Sequence, residues 1–311
     1  MNQEMLKILQ NAEREAAKER ETAERVAALA DWQASQVADK ESAWMASSLP
    51  SAAASGLRRA SVITNSGEAS ARLHENGLAR VDGALSPDTV SALLEYISER
   101  LIAAKAAVEV QDYGPHHREA LLHFGNVRRP IERADLKLRL TPLVAAAVAE
   151  ALAPLQAVIA DTLGREAELF ELGAFVTDPG APRQPVHPDT PYTPDPTACS
   201  TFIALQDLEE DMGPTVYLPG THRDPAAHIA LETREEDPDD GVADPGEAGA
   251  KERMLRGTPS QLAAPMAGGD SITFDSRVLH CGTANESTRR RVLFYFCECH
   301  VAECQGVNPR P

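Results

Sequence analysis

The sequence predicts a mainly β domain with flanking helices. Two apolar runs late in the chain, residues 270–280 and 291–296, have the composition of buried strands. Residues 135–140 alternate charged side chains with leucine, which is typical of a strand with one buried face. Two apolar, alanine-rich segments that precede residue 270 are predicted to form helices. With 311 residues, 43% of them hydrophobic, the chain can bury a sizeable core.

Residues 1–60 differ from the rest and are predicted to form a helical extension followed by a linker. Met5, Ile8, Leu9 and Ala12 recur at helical spacing among charged residues, and residues 47–55 have the small-residue composition of a linker. The helix could pack on the domain, mediate self-association or remain a solvated extension. Residues 61–311 are predicted to form one domain.

The first elements of that domain follow from capping and alternation. Residues 77–83 read as a short strand, and Ser86 before Pro87 predicts the start of a helix that reaches about Ala107. After the alternating strand at 135–140, Pro142 opens a second helix to about Leu163, apolar on more than one face and therefore buried.

The segment from His116 to Leu140 is rich in basic side chains. Arg133 and His123 are the candidates here for contact with an anionic substrate, although surface salt bridges are the commoner role of arginine in an acidic protein. His116, His117 and His123 could suggest a second metal, but nothing else in the sequence converges on them.

The strongest chemical signal is the pair His187 and Asp189 with His280 further along the chain. In an extended strand, residues two apart project from one face, so one metal could reach both His187 and Asp189. With His280 at the end of an apolar run, two imidazoles and a carboxylate could form the facial triad of non-heme Fe(II) oxygenases. Arg291 offers a planar cation that could hold a carboxylate through two parallel bonds.

In these motifs the chain resembles the phytanoyl-CoA dioxygenase-like family of Fe(II)/2-oxoglutarate oxygenases, over roughly residues 165–300. The matching pieces are residues 184–190, the turn at 213–222, Gly269 and Asp270 leading to His280, then Asn285 and Arg291. The resemblance implies a double-stranded β-helix, which is a jelly-roll or cupin-like core with the metal site in the mouth of its barrel.

The resemblance also implies roles for single residues. His187, Asp189 and His280 would bind Fe(II), Arg291 would bind 2-oxoglutarate with Gln184 and Thr190 beside it, and O2 would be the second cosubstrate. Because Asp189 is present, halogenation is disfavoured. Two ambiguities remain: Arg289 and Arg290 adjoin Arg291, so a register slip of one residue would turn a different side chain inward. His222 could be mistaken for a ligand, although the family places a turn residue there.

Charge and composition exclude several other classes. The net charge of −17 argues against a nucleic-acid partner. No stretch is apolar enough for a membrane span, and the N-terminus is too polar for a secretory signal.

The five cysteines, an odd number, predict no disulfide framework, so the reducing cytoplasm fits best. A zinc site at Cys297, Cys299 and Cys304 lacks a second paired motif. An acidic insertion at about 223–265 could be a lid or an inert loop.

The resulting expectation is an oxygenase that oxidises an unactivated C–H bond of a small, carboxylate-bearing metabolite. The outcome could be hydroxylation, desaturation or an oxidative cyclisation of the kind that makes kainoid rings in natural-product biosynthesis. Three alternatives remain: an acyl-CoA hydroxylase of the same family, a zinc hydrolase in which Arg291 has no evident role, and a non-catalytic cupin-like binding module. The partner would be a small molecule, and the protein a monomer or weak homo-oligomer.

Overall fold

A computed structural model of the chain describes residues 58–59, 66–109, 123–125, 132–232 and 258–300. The predicted N-terminal helix, the linker at 47–55, the histidines at 116 and 117, Cys304 and most of the acidic insertion lie outside these ranges. Everything below concerns the described residues.

The core of the fold is a pair of β-sheets. The larger sheet has the strand order β2-β8-β5-β10-β4-β3 and is antiparallel throughout, and the smaller has the order β1-β7-β6-β9. The strands are β1 (Arg58–Arg59), β2 (Leu78–Val81), β3 (Arg133–Lys137), β4 (Glu168–Thr177), β5 (Ala198–Ala204), β6 (Thr215–Tyr217), β7 (Gln261–Leu262), β8 (Ser271–Asp275), β9 (His280–Gly282) and β10 (Arg291–Cys299).

Alternation along β10 defines the two faces of the larger sheet. Val292, Phe294 and Phe296 point to the outer face, where they pack in one core cluster with residues from two helices. Leu293 and Tyr295 point inward and pack in a second cluster that also contains side chains of the smaller sheet. A sheet covered by helices on one side and closed by a second sheet on the other is the predicted jelly-roll architecture, so the fold class is confirmed.

Five α-helices flank the sheets: α1 (Ser66–Asn76), α2 (Pro87–Glu109), α3 (Pro142–Leu152), α4 (Gln156–Leu163) and α5 (Pro225–Glu232). Helix α2 begins after Ser86 as predicted, and the Ser86 hydroxyl accepts the Thr89 backbone N–H at 3.4 Å. Thr141 caps α3 by accepting the Val144 N–H at 3.3 Å. Helices α2 and α3 cover the outer face of the larger sheet.

Two sequence predictions need correction, and a helix and a disulfide-bonded cysteine were missed. The single helix from Pro142 to about Leu163 is two helices bent by 80°, because Pro154 cannot donate the next helical hydrogen bond. Helix α1 was not predicted, since its sequence is polar. The strand expected at 135–140 runs from Arg133 to Lys137. Cys299 is disulfide-bonded, a single bridge that the odd number of cysteines did not predict.

No single helix among the described residues is long and apolar enough to cross a membrane. The bent pair α3 and α4 reaches the required length and composition only when both halves are taken together.

Candidate active site

The two histidines predicted as ligands face each other across a pair of backbone hydrogen bonds. His187 N–H donates to His280 O and His280 N–H donates to His187 O, both at 2.9 Å. His280 is the first residue of β9, whereas His187 makes only this isolated bridge. Asp189 lies in a bend, where its N–H donates to Ser276 O at 2.8 Å. The expected strand across His187 and Asp189 is therefore wrong, but the three side chains still converge.

Backbone carbonyls select which ring nitrogen of each histidine faces the site. His187 Nδ1 lies 2.7 Å from Pro185 O, and His280 Nδ1 lies 2.9 Å from Val278 O. A carbonyl can only accept, so both Nδ1 atoms carry the proton and both Nε2 atoms keep a lone pair. His280 Nε2 lies 3.5 Å from Asp189 Oδ1. The ligand atoms of the three residues all lie within 4.8 Å of one another.

This donor set fits a ferrous ion. Two neutral imidazole nitrogens and one carboxylate oxygen, grouped on one side of a shared point, are the ligands of non-heme iron oxygenases. The hydrogen bonds from Nδ1 to backbone carbonyls are the usual support for metal-bound histidine. The Asp189 side chain is 31% exposed and that of His280 only 4%, so the cluster opens to solvent on the Asp189 side.

Arg291, the first residue of β10, is buried inside the barrel. Its Nη2 donates to Thr177 Oγ1 at 3.0 Å and its Nη1 to Gly213 O, while its buried Nε has no hydrogen-bond partner among the described residues. Burial and the neighbouring Arg133 lower the pKa of Arg291 from 12.5 to about 9. A buried cation with an unused donor is a natural partner for an anion.

Arg133, predicted as a substrate contact, lies beside Arg291. Both residues pair with Thr177 across adjacent strands, and Arg133 Nη1 lies 3.4 Å from the same Thr177 Oγ1. Its Nη2 donates to Pro182 O at 2.8 Å and to Thr283 O at 3.0 Å. Burial lowers the pKa of Arg133 to about 10. Within the described ranges, neither guanidinium forms a salt bridge with a carboxylate.

The other predicted site residues are spread around this pocket. Gln184 Oε1 accepts the Gly282 N–H at 3.0 Å, which places it near Arg133. Thr190 Oγ1 is buried and has no hydrogen-bond partner in the described part of the chain. His123, whose Nδ1 is likewise buried without a partner there, precedes the Phe124–Leu136 bridge at the β3 edge of the larger sheet.

The ambiguous neighbours of the motifs lie elsewhere. Arg290 pairs with Asp178 and is 46% exposed at its side chain, and Arg289 Nη2 contacts Met212 Sδ at 3.0 Å. His222 is buried in a short 3-10 helix, where its Nε2 lies 3.1 Å from His74 O. Burial lowers the pKa of His222. His222 is not one of the clustered ligand atoms.

Beyond the triad, the inner wall of the barrel carries aromatic and acidic side chains. Phe175 stacks on Tyr295 with ring centroids 4.3 Å apart. Tyr295 Oη donates to Asp135 Oδ1 at 2.8 Å and lies 3.4 Å from Glu171 Oε1. Burial and these two carboxylates raise the pKa of Tyr295, so its hydroxyl stays protonated. The wall therefore presents hydrogen-bond acceptors.

Sequence reasoning missed Thr177, Ser200 and Tyr217. Thr177 bridges the two arginines, Ser200 bonds Asp189 at 3.0 Å, and the Tyr217 ring stacks on His280 at 5.8 Å. Each sits on a strand whose neighbours come from distant parts of the chain, so no local spacing marks it. The register of β4 against β10 would have identified Thr177, since Thr177 pairs directly with Arg291.

Comparison with known proteins agrees with this geometry. Residues 73–293, well over half of the chain, match the sequence model of a family described as phytanoyl-CoA dioxygenase (PhyH). No curated protein matches the chain.

Two solved structures share the fold. AviO1 from Streptomyces viridochromogenes Tue57 is 19% identical, with 78% of this chain and 98% of that one covered and a TM-score of 0.52. SnoK, a non-heme alpha ketoglutarate dependent carbocyclase from nogalamycin biosynthesis, is 17% identical, with 79% and 87% covered and a TM-score of 0.51.

Proposed function

The chain belongs to the phytanoyl-CoA dioxygenase family of Fe(II)/2-oxoglutarate-dependent oxidoreductases, and we propose that it oxidises a C–H bond of a small polar metabolite. The observation that carries the proposal is the pairing of two features inside one barrel. The first is the His187, Asp189 and His280 cluster, in which the Nδ1 atom of each histidine is held by a backbone carbonyl, and the second is the cation pair of the buried Arg291 and the partly buried Arg133.

His187 Nε2, His280 Nε2 and Asp189 Oδ1 would hold the iron. Iron bound together with 2-oxoglutarate supplies the oxidising power for O2-dependent attack on an unactivated C–H bond. The protein contributes by fixing both imidazoles through Pro185 O and Val278 O, so that neither ring turns its protonated nitrogen toward the metal.

Arg291 and Arg133 would bind the carboxylate of 2-oxoglutarate that lies farther from the metal. The two guanidiniums repel each other, and that repulsion adds to burial in lowering the pKa of Arg291. A bound carboxylate would relieve it and would use the idle Nε of Arg291. Gln184 borders the same pocket, and Thr190 remains a proposed contact on account of its unused buried hydroxyl.

The inner wall supports a substrate that carries hydroxyl or amine groups. Asp135 and Glu171 face Tyr295 on the inner side of the larger sheet, and such carboxylates accept hydrogen bonds from a substrate but repel a carboxylate. Arg133 was a predicted contact for a substrate carboxylate. Because Arg133 lies beside Arg291, it no longer favours a substrate that carries a carboxylate. Hydroxylation, desaturation and oxidative cyclisation remain the proposed outcomes, and the position of the substrate carbon would select among them.

The first experiment is an anaerobic titration of the purified protein with Fe(II) and 2-oxoglutarate. The expected result is a weak visible metal-to-ligand charge-transfer band that Asp189→Ala abolishes and Arg291→Met shifts to much higher 2-oxoglutarate concentration. Arg290→Met is the matched control, because it removes the adjacent, surface-paired arginine. Succinate release would then be screened against amines, alcohols and carboxylates. A wild-type protein with no band and no 2-oxoglutarate affinity would overturn the proposal.

A further inference from the structure

Ser200 is a fully buried residue on the central strand β5, and its hydroxyl makes three contacts. Its Oγ lies 3.0 Å from Asp189 Oδ2, 3.1 Å from Ser276 Oγ and 3.3 Å from Cys297 Sγ. Ser200 pairs directly with Cys297 in the sheet, so rigid backbone hydrogen bonds fix the position of its hydroxyl.

The three contacts have a definite direction of donation. A hydroxyl has one proton, and a carboxylate can only accept, so the Ser200 proton goes to Asp189. Ser276 Oγ–H and Cys297 Sγ–H are then left to donate to the lone pairs of Ser200. Burial, together with the nearby Asp189, raises the pKa of Cys297 and keeps the thiol protonated for that purpose. This series of hydrogen bonds therefore ends at the Asp189 carboxylate.

Asp189 gains from such support because no regular secondary structure fixes its position. It lies in a bend, outside any strand, and its side chain is partly exposed. Its backbone is anchored by Ser276 O, which also accepts the Thr190 N–H at 3.1 Å. Ser276 therefore restrains Asp189 twice, through its own carbonyl and through Ser200.

We propose that Ser200, supported by Ser276 and Cys297, is a positioning residue that holds Asp189 as a one-oxygen ligand of the metal. With Oδ2 engaged by Ser200, only Oδ1 faces His280 Nε2. Binding through both oxygens would use a coordination position that the open side of a facial triad needs for 2-oxoglutarate and O2. This inference rests on the proposed function of the site.

The test compares Ser200→Ala with Thr201→Val under nitrogen. Thr201 is the next residue on β5 and is equally buried, but its hydroxyl bonds Thr273 on the other face of the sheet. The Fe(II) dissociation constant is measured from the charge-transfer band at saturating 2-oxoglutarate. Ser200→Ala should weaken Fe(II) binding by roughly 10- to 100-fold, the usual effect of losing a residue that orients a metal ligand. Thr201→Val should change it less than about threefold.

Further measurements separate positioning from folding. The KM for 2-oxoglutarate at saturating Fe(II) should rise in Ser200→Ala, because an Asp189 released to bind through both oxygens would occupy a position that 2-oxoglutarate needs. Ser200→Thr, which keeps the hydroxyl, should restore most of the Fe(II) affinity. Thermal melting of the metal-free protein shows whether Ser200→Ala is folded. If it is not, Ser276→Ala replaces it in the test, with a smaller expected loss of Fe(II) affinity.

The possible failures are distinguishable. Wild-type Fe(II) affinity in both Ser200→Ala and Ser276→Ala would overturn the positioning role while the oxygenase assignment stands. Absence of the band in the wild-type protein would instead overturn the proposed function itself.

Discussion

Replacing Gly282 by alanine tests whether Arg133 and Gln184 form part of the 2-oxoglutarate pocket. A Cβ at position 282 would lie 2.6 Å from Gln184 Oε1 and 2.7 Å from Arg133 Nη1. Both distances are shorter than real contacts, so both side chains must move. Because the clashing atoms are the ends of flexible side chains, the fold should tolerate the change, and the pocket should be disturbed far more than the stability.

The expected effect is a rise in the KM for 2-oxoglutarate. Displacing the Arg133 guanidinium removes one charge-assisted hydrogen bond to the cosubstrate, which is worth about 2 kcal/mol, or roughly 30-fold in affinity. The KM is measured by succinate release at saturating Fe(II), with metal-free melting to follow the fold. Gly268→Ala is the matched control, because its Cβ would meet its nearest neighbours at 3.5–3.6 Å, an ordinary contact.

Two outcomes would refute this reasoning. If the KM for 2-oxoglutarate stays within twofold of wild type while the fold remains intact, Arg133 does not contact the cosubstrate. If Gly268→Ala raises the KM as much as Gly282→Ala does, the effect is not specific to this pocket.

Arg291→Lys should raise the KM for 2-oxoglutarate by roughly 10- to 100-fold, because lysine cannot make two parallel bonds, and an unchanged KM would contradict the role of Arg291. Thr177→Val removes the hydroxyl that both guanidiniums share and should raise the same KM about fivefold, with Fe(II) affinity as the control that must not change. Burial raises the pKa of Glu298 from 4.5 to about 7. The unfolded chain therefore loses this proton first, and the folded state is destabilised as pH rises from 4.5 through 7. Glu298→Gln should increase the free energy of unfolding by about 1 to 3 kcal/mol at pH 8 and little at pH 4.5, and urea denaturation showing equal gains at both would contradict this.

The parts of the fold that were predicted from sequence are those set by local rules. Helix α2 starts after Ser86 and helix α3 at Pro142, as capping and the proline predict, and the apolar runs that end at His280 and Phe296 contain strands. The break at Pro154 was missed, because an apolar segment continues past it and periodicity alone favours one helix. Helix α1 buries only a few small and apolar residues, such as Ala69 and Leu73, so it gave no strong periodic signal.

For the site, sequence identified the residues proposed to bind the metal and the cosubstrate and missed the residues that contact them. His187, Asp189, His280 and Arg291 belong to motifs with fixed spacing. Ser200 and its partners are common residue types whose contacts span 11 to 97 positions along the chain. Such contacts depend on strand register, which follows from the packing of the whole sheet. The same limit explains why sequence did not place Arg133 beside Arg291, since that placement follows only from their shared pairing with Thr177.

Charge is distributed unevenly along the inner wall of the barrel, and this distribution bears on how the site works. Arg133 and Arg291 make one end cationic, whereas Asp189, Asp135 and Glu171 lie near Cys297 and add to burial in raising the pKa of its thiol. A ferrous ion on Asp189 would reduce the formal charge of these three carboxylates from −3 to −1 and would weaken their repulsion of the second carboxylate of 2-oxoglutarate. Without the metal, these three carboxylates repel the second carboxylate more strongly. The arrangement therefore favours metal binding before cosubstrate binding.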